Sequence, residues 1–233
     1  MNNAPASILD PQEPCSPLAF GTSQTALLLL DFHTFIVKSQ PEAHGARVVT
    51  SAAELRSWAR SQGMFVVHCM IDLRATTSLE RKMATKVNGV RDRMLNQKPE
   101  EKGEITEIAA IADEYVFYRP PSHVSAMGSY GLREFLAQHG IQSLLLAGFS
   151  TSGCVINTAK GAADEGFAVT LVKDACGDRD PAVHELIMAK LLVGQTHVVG
   201  LKHFVEAWQE MGSSSGDATV SELDKQAKQL CVS

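Results

Sequence analysis

Three side chains in this sequence have the chemistry of an acyl-transfer site, and each stands at or just past the end of a strand-like run. Cys154 lies in the stretch Leu144 to Val155, LLLAGFSTSGCV, where an apolar run, a glycine and small polar residues lead into the helical spacing Val155, Ala159, Ala162. A thiol at a helix start meets unpaired backbone N–H groups and a positive dipole end, which favour the thiolate. A free cysteine is also commonly a small buried hydrophobe, and position alone leaves that reading open. Asp31 ends the run LLLLD, and Arg119 ends YVFYR. Taken singly, Asp31 reads equally well as a strand-end carboxylate capping a turn. Taken together, the carboxylate can accept the thiol proton, the cation can hold the charges, and the sulfur can attack a carbonyl carbon.

The elements that must position these groups follow from periodicity. Strand patterns occur at Ala26–Leu30, Met64–His68, Tyr115–Tyr118, around Leu144, at Phe167–Val172 and at Thr196–Val199. The uniformly aliphatic first run suits a central parallel strand buried on both faces. Helices are predicted over Ala46–Gln62, with Gly63 as the stop, and around Leu132, Phe135 and Leu136, closed by Gly140. Further helices follow Cys154, start at Asp180-Pro181, and cover Phe204–Met211. This alternation predicts an α/β fold of three layers, α/β/α and Rossmann-like, built on a six-stranded parallel sheet over residues 24–212. In such sheets ligands bind outside the carboxyl ends of the strands, the rim that carries Asp31, Arg119 and Cys154.

Residues 1–23, rich in proline, read as an extended N-terminal arm. Residues 213–233 read as a linker and a C-terminal amphipathic helix, with a Thr219/Glu222 capping box and an apolar face of Val220, Leu223, Ala227 and Leu230. That helix either packs on a second subunit or frays. The polar stretch Asp72–Gly103 is too long for a bare connection, and Met83, Val87, Val90 and Met94 place one helix in it, as a lid or an oligomer contact. The net charge of -5 argues against a nucleic-acid partner. Apolar runs fall short of the roughly 18 residues of a membrane span, so no membrane partner is expected. The first residues lack the pattern of a secretory signal, and the five cysteines form no C-x-x-C pair. A reducing, cytoplasmic location is the expectation.

The series LLLLD, a basic strand end before SAM, GFSTSGCV, VKDAC and a downstream His184 resembles the isochorismatase-like cysteine hydrolases, the superfamily of nicotinamidases and N-carbamoylsarcosine amidohydrolases. The likeness covers roughly Thr25 to Val199, and G-x-x-T-x-x-C-V is its most specific portion. It implies the strand order 3-2-1-4-5-6, with Asp31 as acid/base and Cys154 as nucleophile on adjacent strands. It also implies a non-proline cis peptide at Phe149-Ser150, with the N–H groups of Ser150 and Cys154 forming an oxyanion hole. Family members are commonly dimers or tetramers, so a homodimer or homotetramer is implied.

Two departures from the family pattern stand out. Its third-strand lysine, usually four residues before the S-A-F segment, falls here on Pro121, and the strand-end match is Arg119. Arginine stays protonated at working pH, so it can stabilise charge but cannot shuttle a proton. The opening D-x-Q-x-D-F appears as Asp31-Phe32-His33-Thr34-Phe35. His33, Phe35, Tyr118 and His123 are the expected pocket wall, with His68 and His184 structural and Cys176 an inert buried thiol. Nicotinamidases of this family hold a divalent ion through a D-x-H pair after the second strand, a spacing absent around His68 and Asp72; neither metal nor cofactor is expected.

The reading is a cysteine-dependent hydrolase that cleaves a C–N bond, amide or ureido, of a small-molecule substrate through a thioester at Cys154. Its rival is a catalytically lapsed member of the fold, acting as a binding or effector protein, suggested by the replaced lysine. A nucleotide-binding domain is disfavoured because no G-x-G-x-x-G follows the first strand.

Overall fold

The computed structural model of the chain describes residues 9–10, 12–13, 15–75 and 82–211. The linker and amphipathic helix expected within 213–233 lie outside these residues. Six parallel strands form one sheet: β1 (Thr25–Leu30), β2 (Phe65–Ile71), β3 (Tyr115–Arg119), β4 (Ser143–Phe149), β5 (Ala168–Gly177) and β6 (His197–Val199). Their order is β3-β2-β1-β4-β5-β6, as the resemblance implies.

The aliphatic run of β1 is wholly buried because both of its faces are covered. Ala26, Leu28 and Leu30 join one core with Leu132 and Leu136 of α4 (Leu132–Gln138) and Ala159 and Ala162 of α5 (Ile156–Asp164). Leu27 and Leu29 join the other with Ala52, Leu55 and Ala59 of α2 (Glu42–Ser61) and Phe204 and Trp208 of the helix over 201–211. Burying each leucine side chain contributes about 1.5–3 kcal/mol. Leu9 and Leu18, from the segment expected to be an arm, are buried in that second core. Trp58 packs edge-on to Phe204 and Trp208, closing the layer.

Several elements differ from the periodic reading: β2 and β5 run on to Ile71 and Gly177, and the last helix begins at 201. The α2 helix begins four residues before Ala46 because Gly45, which looks like a helix breaker, is needed where it stands: a Cβ there would meet Val37 O at 3.2 Å and Gln40 Cβ at 3.3 Å. A short helix, α1 (Thr34–Lys38), follows β1 and carries Phe35; too few residues for a periodicity signal encode it. The helix expected within the polar stretch is present as α3 (Lys82–Leu95).

Two backbone features set up the rim. Pairing of β4 with β5 is regular to Leu146↔Leu171 and resumes at Gly148↔Cys176, so β5 bulges and delivers Asp178 beside the end of β4. Gly148 has φ 144°, and a Cβ there would lie 2.1 Å from Leu30 O, so only glycine lets β1 and β4 approach at this point.

Candidate active site

Strand order reverses between β1 and β4, and the crevice beyond their ends is a cavity of about 380 Å³. Asp31, Arg119, Ser150 and Cys154 line it, with Phe35 and His123. Asp31 stands one residue past β1 with φ 55°, a left-handed conformation that aspartate tolerates better than most residues. Its N–H donates to Cys69 O at 3.0 Å. Both carboxylate oxygens are engaged by Arg119: Nη1 donates to Oδ1 at 2.8 Å and Nη2 donates to Oδ2. Arg119 Nε donates to the carbonyl of His123 at 3.1 Å, which fixes the guanidinium from a third side.

Burial disfavours the charge on Arg119, but the Asp31 carboxylate raises its pKa above the ordinary arginine value, so the guanidinium remains charged. Burial pushes the Cys154 thiol up to about 12; Arg119 opposes this and Asp31 reinforces it. Burial thus works against the thiolate that the helix-start position favours. Thr158, one turn further on, accepts the N–H of Ala126 at 2.8 Å, which leaves its hydroxyl proton free for Cys154 Sγ at 3.6 Å. The sequence reading missed this contact; its i+4 spacing from Cys154 on a helix was the available signal.

The turn carrying Cys154, Thr151–Val155, is kinked at Gly153 (φ -117°, ψ -108°) and is entered through a cis peptide at Phe149-Ser150. It is clamped from behind. Asp178 Oδ2 accepts both the N–H and the hydroxyl of Ser152, each at 2.7 Å. Thr151 Oγ1 lies 2.8 Å from His184 Nδ1, where burial lowers the His184 pKa. Asp178 was not among the expected residues, because the β5 bulge that delivers it has no periodic signature.

Two expected wall residues do not reach this cavity. Tyr118 is half exposed and lines a separate cavity with His33. Strand side chains alternate in direction, so with Arg119 turned to the rim its neighbour Tyr118 must turn away. His33 is almost fully buried and accepts the N–H of Ile71 at its Nε2, 3.1 Å away, which makes it a structural brace. Desolvation lowers its pKa to about 4. His123 does reach the cavity, and Gly128 makes room for it: a Cβ there would lie 2.7 Å from His123 Cδ2.

The groups after β2 that a metal would require are committed elsewhere. His68 faces Glu104 at 2.7 Å and Glu114 at 3.2 Å, Arg56 pairs with Glu114, and Asp72 Oδ1 accepts the N–H of Arg74 at 2.8 Å. Among the described residues no group of three His, Cys, Asp or Glu side chains is arranged to hold a metal ion. Cys176 is buried, its thiol also raised to about 12 by burial.

A family model described as the isochorismatase domain matches residues 25–202. The chain belongs to the isochorismatase family. A relative from Pseudomonas putida, maleamate amidohydrolase, is 29% identical over 171 residues, covering 72% of this chain and 78% of its own. Among solved structures, a cysteine hydrolase from Pseudomonas syringae superposes with TM-score 0.71 at 16% identity, covering 82% of this chain and 95% of that one. N-carbamoylsarcosine amidase from Thermoplasma acidophilum gives TM-score 0.58 at 20% identity, covering 76% and 96%. These likenesses share the fold. Among the described residues no helix is long and apolar enough to cross a membrane.

Proposed function

We propose that this isochorismatase-family protein is a cysteine-dependent hydrolase that cleaves the C–N bond of a small amide or ureido compound through a thioester at Cys154. The observation that carries the reading is the Asp31–Arg119 pair on the wall of the cavity that also presents Cys154. Relatives described as maleamate amidohydrolase and N-carbamoylsarcosine amidase support the bond type.

Asp31 takes the Cys154 proton as sulfur bonds to the carbonyl carbon, and the developing oxyanion meets the N–H groups of Ser150 and Cys154. The C–N bond breaks as Asp31 returns that proton to the departing nitrogen. Water then adds to the thioester with Asp31 as base, the acid leaves, and the sulfur recovers its proton from Asp31. Arg119 transfers no proton in this scheme; it holds and orients the Asp31 carboxyl through its two hydrogen bonds.

The test is ammonia release from a panel of small primary amides and ureas, with intact-mass detection of an acyl adduct in quenched mixtures. Turnover with an adduct on Cys154, both lost in Cys154→Ala, is the expected result. A chain that binds panel members yet turns none over, with or without Cys154, would be the lapsed binding protein instead.

A further inference from the structure

Thr158 Oγ1 stands 3.6 Å from Cys154 Sγ, one helical turn further along the chain, and has no part in the scheme above. Its oxygen already accepts the N–H of Ala126 at 2.8 Å, which turns the hydroxyl proton toward the sulfur. Ala126 is itself held in place: it opens the short turn Ala126–Gly128, where Ser125 Oγ accepts the N–H of Met127 at 3.2 Å. The segment Ser125-Ala126-Met127, which lies behind the cavity wall, thus reaches the sulfur through one backbone N–H and one hydroxyl.

Water does not compete for this contact. Thr158 and Ala126 are wholly buried, and Cys154 is nearly so. In a dry site a hydrogen bond is stronger than in water, and a donor polarised by accepting another bond is stronger still. A bond to an ionised acceptor is roughly twice as strong as one to a neutral acceptor. The hydroxyl therefore holds a thiolate more tightly than a thiol, and an interaction that strengthens as charge develops lowers a barrier. Together with Arg119 it favours the anion against burial.

We infer that Thr158 is a catalytic residue, whose hydroxyl stabilises the negative charge on Cys154 Sγ as sulfur attacks the carbonyl and again as it leaves the thioester. This rests on the C–N hydrolase reading above and deepens it. The thiol proton passes to Asp31, and the N–H groups of Ser150 and Cys154 meet the charge on oxygen. Thr158 keeps its own proton throughout and meets the charge on sulfur.

The test is the iodoacetamide labelling rate of Cys154 in the full-length chain at about pH 8, read by peptide mass spectrometry without substrate, for the parent, Thr158→Ser and Thr158→Val. Valine fills nearly the same space without the hydroxyl. Thr158→Val labels about threefold or more slowly than the parent, and Thr158→Ser stays within about twofold of it. On a panel amide, kcat follows the same order, falling about fivefold or more in Thr158→Val with KM little changed. The direction separates chemistry from packing, because a turn merely loosened by the substitution would expose the thiol and label faster. Thr158→Ala is read in the same way should valine disturb the fold. Labelling or kcat in Thr158→Val at the parent level, faster labelling, or an equal loss in Thr158→Ser would overturn the inference. Labelling needs no turnover, so a slow Thr158→Val thiol in a chain whose parent cleaves no amide would sink the hydrolase reading and leave the hydroxyl–thiolate contact standing.

Discussion

Asp31 and Arg119, 88 residues apart in the chain, meet through two hydrogen bonds at the rim of the sheet, with each carboxylate oxygen taken by one terminal guanidinium nitrogen. Both side chains are nearly inaccessible to water, so neither can lose its partner cheaply.

That burial makes the pair structural as well as chemical. Asp31→Asn and Arg119→Met should each lower stability by about 3–5 kcal/mol, the usual cost of leaving one buried charge unpaired. The double variant should recover part of that loss, because no lone charge remains. Denaturant melts of the two singles and the double measure the coupling. On the catalytic side, Asp31→Asn should abolish turnover and Arg119→Met should slow it at least about tenfold, roughly 1.4 kcal/mol of barrier. Purely additive melts would show that the pair contributes no coupling energy.

The Cys154 thiol should behave as a weak acid. With its pKa pushed up to about 12, the thiolate fraction grows about tenfold per pH unit throughout the neutral and mildly alkaline range. The logarithm of the iodoacetamide labelling rate should therefore climb with unit slope from about pH 7 to 9 without levelling. A plateau near neutrality would mean that the dipole and Arg119 outweigh burial after all.

Asp178 should position the nucleophile turn without touching substrate. In Asp178→Ala the Ser152 N–H and hydroxyl lose their shared acceptor. The expected result is a drop in kcat of at least about tenfold with KM little changed, and partial rescue in Asp178→Asn, which keeps one acceptor oxygen. Loss confined to KM would place Asp178 in substrate binding instead.

His33 should make the fold acid-sensitive. Its pKa is lowered by burial from 6.5 to about 4, so between these values the unfolded chain binds the extra proton and the folded chain does not. Stability from this group is complete above about pH 6.5 and is lost as pH falls through about 4, to the extent of about 3 kcal/mol. Melts of the parent chain and of His33→Asn, compared across pH 7 to 4, should show a shallower acid slope in the variant. Parallel slopes would assign the acid sensitivity to other groups, of which Glu114, held down to about 2 by its Arg56 hydrogen bond against burial, acts at lower pH.

Much of the architecture is legible without coordinates. The run Ala26–Leu30 announces a strand buried on both faces, and its end locates Asp31; the small polar turn after β4 locates Cys154. The separation of Tyr118 from the site was equally legible, since a residue adjacent to Arg119 in a strand must face the other way. What periodicity cannot express is which distant atoms surround a side chain. The acidity of Cys154 depends on how completely the surrounding fold excludes water from it. Asp178 reaches Ser152 only because β5 bulges, and Ala126 reaches Thr158 only because the turn after β3 packs on α5. Sequence patterns record local burial, one residue at a time; desolvation and the sum of charges around a cavity are properties of space, and the tertiary structure alone decides them.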